Sequence, residues 1–258
     1  MTSKGWKETK TIYWSDELND DFNETLTKRP PVPKDYCYKR RFRFLSWIVY
    51  YLLAKPILGF YCLFHGIKVE NRKVLKKLKR TGYFIYSNHV AITDAYKFAS
   101  YIIPIKRVNI IGYSDTLSMK VISKFAKATG YLPIPDDIHN MKKMKDAIEL
   151  LVANREIVLI YPEAHIWPYY TKIRNFKAVS FTYPAEFNKP IVPAVTVWRG
   201  KPNKKPKQTV VFGEPIYPDP ELNTMENKAY LHRECLKQMK EISERYPQVE
   251  YIKYIKRD

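Results

Sequence analysis

The sequence predicts one α/β domain. A mostly parallel, twisted mixed sheet carries helices on both faces, and an apolar helical hairpin precedes it. Three observations carry this expectation. From residue 66 onward, short apolar runs alternate with segments of helical period, the pattern of β/α units. Ile157-Val158-Leu159-Ile160-Tyr161 is an unbroken apolar run, as a parallel strand buried on both faces requires. The chain has 258 residues, 45% of them hydrophobic, enough for one sizeable core. No internal repeat and no linker marks off a second domain. The expected divisions are an N-terminal arm over residues 1–40, the hairpin over 41–65 and the α/β domain over 66–258.

The arm is polar and punctuated by prolines at Pro30, Pro31 and Pro33. Trp6, Tyr13, Trp14 and Phe22 are scattered through it, so it reads as an extended segment packing over the domain through its aromatics, or as partly disordered. Residues 44–64 are almost wholly apolar, interrupted by Lys55-Pro56. Their length can just span a hydrocarbon core. A central lysine costs about 2.5–3.5 kcal/mol on insertion scales, and proline breaks or kinks a helix. Two short helices meeting at Lys55-Pro56 and dipping into one leaflet fit these features; a kinked spanning helix and helices packed on the protein's own core stay open. Trp47, Ile48, Tyr51, Leu52, Ile57 and Phe60 are the expected membrane-facing residues, with Arg40, Arg41 and Arg43 beside them for anionic headgroups.

In the α/β part, strands are expected at 66–70, 83–87, 107–111, 131–135, 157–161, 191–197 and 209–212. Helices are expected at 74–80, 94–101, 116–128, 140–152 and 225–245. The helix over 140–152 rests on apolar residues at 141, 144, 147, 148, 151 and 152, one face of a 3.6-residue period. Gly130 suits the end of the helix before it.

Lys and Arg number 45 against 26 Asp and Glu, a net charge of +19. That excess points to an anionic partner, whether phospholipid, nucleic acid or a phosphorylated substrate. Cys37, Cys62 and Cys235 form no Cys-x-x-Cys pair and read as free thiols of a reducing compartment. The first residues lack the apolar core of a signal peptide, so a cytoplasmic setting is expected, a membrane surface facing the cytoplasm included. The five histidines lack zinc-like spacing, and neither a Gly-x-Ser-x-Gly elbow nor a P-loop is present.

Two strand ends carry the candidate chemistry. Tyr83–Ser87 runs out into Asn88-His89-Val90-Ala91-Ile92-Thr93-Asp94. A histidine can take a proton from a hydroxyl near neutral pH, and a nearby carboxylate can hold the imidazole in one tautomer. Alone, His-x4-Asp is unspecific: Thr93 or Asp94 equally suits a helix cap. The second strand end is Tyr161-Pro162-Glu163-Ala164-His165-Ile166-Trp167-Pro168. Glu163 there suits a substrate hydroxyl or a basic side chain. Lys172, Arg174 and Lys177 follow within six residues, cations suited to clamping a phosphate or simply to a solvated loop.

In this order, Asn88-His89-x4-Asp94, an extended segment after Gly130, Tyr161-Pro162-Glu163, Phe176-Lys177 and Pro190-Ile191-Val192-Pro193 resemble the glycerolipid acyltransferases, lysophosphatidic acid acyltransferases among them. The resemblance covers about residues 80–215 and extends to the preceding apolar hairpin. It implies His89 as general base, Asp94 as its orienting partner, and direct attack of a substrate hydroxyl on an acyl thioester. It implies Glu163 and Lys177 at the acceptor's glycerol-phosphate region and Pro193 in the wall of the substrate pocket. The family's glutamate is usually followed by Gly, then Ser or Thr, then Arg; here Ala164-His165-Ile166 stands instead. The arginine usual after the second block is also missing, so phosphate recognition falls to Lys172, Arg174 and Lys177, with His165 contributing. This version looks like a divergent bacterial branch.

The reading that follows is a membrane-associated O-acyltransferase on the cytoplasmic face of the cell membrane. Its donor is acyl-CoA or an acyl carrier protein thioester, with no further cofactor and no metal. Its acceptor is a lysophospholipid, above all lysophosphatidic acid. The alternative is a non-catalytic basic protein of the same fold that docks on anionic membranes or RNA. No RNA-binding motif is present, and no nucleic-acid partner is expected.

Overall fold

The computed structural model describes residues 10–22, 30–34, 36–38, 43–114, 117, 128–201 and 204–257. Its centre is a seven-stranded sheet of β2 (Lys68–Glu70), β3 (Tyr83–Ser87), β4 (Val108–Gly112), β5 (Tyr131–Pro133), β6 (Ile157–Ile160), β7 (Ile191–Arg199) and β8 (Lys207–Phe212). The spatial order is β2-β8-β7-β3-β6-β4-β5. Every neighbouring pair is parallel except β7–β8, the hairpin across the basic turn. The mixed, mostly parallel sheet is the expected one.

β3 and β6 lie side by side in the middle of the sheet, with Tyr83 opposite Ile157 and Tyr86 opposite Ile160. All nine of their residues are buried. Alternation along a strand sends successive side chains to opposite faces. Phe84, Tyr86, Val158 and Ile160 pack on one core with Met144, Ile148 and Val152 of α3 (Ile138–Ala153) and Leu231, Cys235 and Met239 of α5 (Thr224–Arg245). Tyr83, Ile85, Ile157 and Leu159 pack on the other with Val74, Leu78, Phe98 and Ile102. A short α4, Thr182–Glu186, packs against α5. Helices on both faces explain why these strands are apolar throughout instead of alternating.

Local chemistry ends the helices where they end. Asp137 caps α3 by accepting from the Asn140 amide at 2.8 Å. Asn223 and Glu226 form a reciprocal capping box at the start of α5. The helix expected over 94–101 is instead a 3-10 turn, Ile92–Ala95, and a π-helical turn, Phe98–Ile102. The Asp94 carboxylate accepts from the amides of Val90 and Ala91, which tightens this stretch beyond an α-helical course. The basic stretch at 72–78 is likewise 3-10 helical, entered through Asn71 at φ 56°. The helix expected over 116–128 falls almost entirely outside the described residues.

The apolar segment differs from the expected hairpin. α1 (Arg43–Ile48), a π-helical turn (Val49–Ala54) and α2 (Lys55–Phe64) form one 22-residue helical run. Pro56 sits in the first turn of α2, where the π-helical turn before it has already displaced the α-helical bonding pattern. Lys55 points back to the domain, donating to the carbonyls of Ala99 at 2.9 Å and Ile103 at 2.6 Å. Trp47, Leu52, Ile57 and Phe60 are exposed, while Ile48 and Tyr51 are half-buried, the Tyr51 hydroxyl donating to the Ile105 carbonyl. Arg43 is exposed; Arg40 and Arg41 lie outside the described residues. The run is long and apolar enough to cross a membrane, and little of it is buried.

A strand at the chain's end, β9 (Ile252–Lys256), pairs in parallel with β1 (Lys10–Trp14) as a separate two-stranded sheet. Trp14 and Phe22 of the arm pack on Trp167, at ring-centroid distances of 5.4 and 5.2 Å.

Candidate active site

The C-terminal ends of β3 and β6 bring the two polar loops together, where open α/β sheets place their ligands. Asn88 fixes the first loop by pairing with the backbone of β7. Its side chain accepts from the Thr196 amide at 2.8 Å and donates to the Thr196 carbonyl at 3.1 Å. His89 Nδ1 then lies 2.9 Å from Asp94 Oδ2. An ionised carboxylate only accepts, so Nδ1 carries the proton and Nε2 is the basic nitrogen. The imidazole stacks on Tyr161 at 4.5 Å, and the Tyr161 hydroxyl donates to the Asp94 carbonyl at 2.7 Å. Asp94 is fully buried while the His89 side chain keeps 24% exposure, so the base reaches solvent and its partner does not. Burial alone would raise the Asp94 carboxyl; the Lys97 ammonium and His89 outweigh it and hold the carboxyl below its ordinary value.

Glu163 is buried and completes the loop's frame. Its Oε2 accepts from the His89 amide at 3.1 Å and from Arg174 Nη2 at 2.9 Å, and its Oε1 accepts from the Arg174 amide at 3.1 Å. The buried Arg174 guanidinium lies over the Trp167 ring. Arg174 is therefore a partner of Glu163 and not the exposed phosphate clamp expected of it. The loop after Glu163 turns at Ala164, whose φ is +64°.

A cavity of about 530 Å³ opens at this point, within the usual range for a ligand site. His89, Glu163, His165 and Lys177 are among the residues that line it. Ile110, Ile111, Ile134, Met141, Met144 and Ile160 supply apolar wall to it. Of the three expected cations only Lys177 lines the cavity; Lys172 is exposed outside the lining. His165 Nδ1 lies 3.2 Å from Asp21 Oδ2 and its ring stacks with Tyr113. The sequence reading missed Leu18, Asn19 and Asp21, which the arm folds into the cavity wall, and it missed Lys97 behind Asp94. For Lys97 a signal existed: a lone cation at i+3 from Asp94 in an otherwise apolar stretch. For the arm nothing local marked the approach. No group of metal-ligating side chains is present among the described residues.

Residues 66–197 match the family described as acyltransferase. The chain belongs to the acyltransferase family. The matched acyltransferase region begins just before β2 and ends within β7, enclosing both strand-end loops. Among solved structures, the acyltransferase is similar to the 1-acyl-sn-glycerophosphate (LPA) acyltransferase PlsC from Thermotoga maritima. The TM-score is 0.51 at 12% identity, over 80% of this chain and 98% of that one, a likeness of fold. No curated protein matches it in sequence.

Proposed function

We propose that the protein moves a fatty acyl group from an acyl-CoA or acyl carrier protein thioester to a hydroxyl of a lysophospholipid, lysophosphatidic acid giving phosphatidic acid, at the cytoplasmic face of a membrane. The observation that supports this reading is the His89–Asp94 pair opening onto a cavity whose lining joins many apolar side chains with Lys177. His89 Nε2 takes the proton of the acceptor hydroxyl as its oxygen attacks the thioester carbonyl. The C–S bond then breaks, and the departing thiolate receives that proton from the imidazolium. Asp94 holds the ring in the tautomer this needs and stabilises the imidazolium formed between the two steps. General-base assistance supplies about 10²–10⁴-fold, and orientation of two bound reactants adds to it. The apolar lining suits the acyl chain, and Lys177 suits the acceptor's phosphate. The exposed apolar side of residues 43–64 suits a bilayer surface from which both lipids arrive.

The test is acyl transfer on anionic vesicles, offering acyl-CoA and acyl carrier protein donors against lysophospholipids and glycerol phosphate. Lysophosphatidic acid should be acylated, and His89→Ala should lower turnover by at least a hundredfold while vesicle binding stays unchanged. Turnover at the wild-type rate in that variant would overturn the mechanism.

A further inference from the structure

Lys97 lies three residues past Asp94 and is fully buried. Its ammonium pairs with Asp94 Oδ1, the oxygen that His89 does not use. It also donates to Thr196 Oγ1 of β7 at 2.7 Å and to Gln208 Oε1 of β8 at 3.2 Å. Gln208 Oε1 in turn accepts from Thr93 Oγ1 at 3.0 Å. All three donors of the ammonium thus have acceptors, two of them reaching in from the sheet. An apolar side chain would hold the turn against the sheet without the desolvation that a buried lysine incurs, so packing does not account for this residue.

Resting on the reading of His89 as the base, we infer that Lys97 is a positioning residue. It fixes the Asp94 carboxylate and cancels most of its charge, so that Asp94 orients the His89 imidazole without trapping it as imidazolium. The other groups around the pair do not supply this. Tyr161 stacks on His89, Tyr96 follows Asp94, and Cys62 of α2 faces Lys97; burial raises all three above their ordinary values and leaves them neutral. Glu163, on the backbone side of His89, is matched by Arg174. The Phe98 ring borders the ammonium. Lys97 is therefore the cation that meets Asp94 directly; burial holds its ammonium below the ordinary lysine value, and the Asp94 carboxylate opposes that fall.

The sign of the pH effect follows. Burial acts to raise the Asp94 carboxyl, and Lys97 is the largest of the influences opposing it. Without Lys97, Asp94 takes up a proton at a higher pH, and its remaining charge is left to favour imidazolium. Both effects remove active enzyme from the acid side.

The test is Lys97→Met in the full chain on vesicles. We expect kcat to fall at least tenfold at neutral pH, KM for the acceptor to change less than twofold, and the acid limb of the rate profile to move up by about one pH unit. A loss by the same factor at every pH would show a merely structural role and overturn the inference. Thr196→Val removes one acceptor of the ammonium while the backbone bonds to Asn88 remain. It should move the limb the same way by a smaller amount, and it carries the test if Lys97→Met does not fold. A readout independent of turnover is the low-field Nδ1–H proton resonance of His89, assigned by its loss in His89→Gln. In either variant the resonance should vanish at a higher pH than in the wild type; an unchanged pH would overturn the inference. If it shifts while the wild-type protein transfers no acyl group to any acceptor, the proposed function fails and the positioning role stands.

Discussion

Asp94 accepts from the amides of Val90 and Ala91 and from His89 with one oxygen, and pairs with Lys97 through the other. The His89–Asp94 pairing was legible through the order of motifs around it, whereas the two amide bonds were not, since Asp94 read otherwise only as a helix cap. The pairing with Lys97 went unread although its signal, a lone cation at i+3 in an apolar stretch, was present, because a lysine in a chain of net charge +19 reads first as solvated. The same reasoning misled for Arg174. It stands eleven residues from Glu163, and only the fold shows that both are buried in one ion pair. Ala164 is instructive in another way. It occupies the position where the resembling family usually has glycine, and its φ of +64° is a conformation that glycine adopts without a Cβ penalty. The left-handed region costs an L-residue about 1–2 kcal/mol, whereas glycine returns about 0.5–1 kcal/mol through its freer unfolded chain. Ala164→Gly should therefore stabilise the fold by about 0.5–1 kcal/mol, read as a rise in denaturation midpoint at unchanged m-value.

At the scale of elements, strands buried on both faces announced themselves. β3, β6, β7 and β8 appear within a residue or two of where unbroken apolar runs place them. β9 did not, because its five residues become a strand only through β1, some 240 positions earlier, and no local pattern encodes that pairing. Nor did the single helical run over 43–64, because the sequence shows the proline but not the π-helical turn that accommodates it. The approach of α3 to the sheet is fixed at Gly82, just before β3. A Cβ built there would lie 2.1 Å from the Val152 carbonyl oxygen at the end of α3. Neither partner is a flexible side chain, so the strand or the helix must shift. Gly82→Ala should cost about 1–3 kcal/mol, seen as a lowered thermal midpoint, and should lower acyl transfer too, since β3 carries the His89 loop.

At the scale of the whole molecule, the helical run has two unlike flanks. Ser46, Tyr50, Lys55 and Cys62 face the domain, where Arg107, the Val108 amide, Ala99, Ile103 and Ser100 receive them. Leu52, Leu53, Ile57, Phe60 and Phe64 face outward. On the proposed function, a helix bonded along one flank offers only the other to a bilayer surface. Exposed side chains contribute little to folding, so Leu52→Glu with Phe60→Glu should leave stability within about 0.5 kcal/mol of wild type. Withdrawing two large apolar groups from a bilayer removes about 3 kcal/mol or more, so vesicle cosedimentation should fall over a hundredfold.

The pairing of β1 with β9 also brings two segments some 240 positions apart together at one place. The segment after β1 continues directly into Leu18, Asn19 and Asp21, part of the cavity wall. The seven-stranded sheet takes no strand from either end. Proteolytic clipping before Ile252, or a bulky fusion behind it, would therefore slacken the rim of the cavity and widen substrate choice while the core stayed folded.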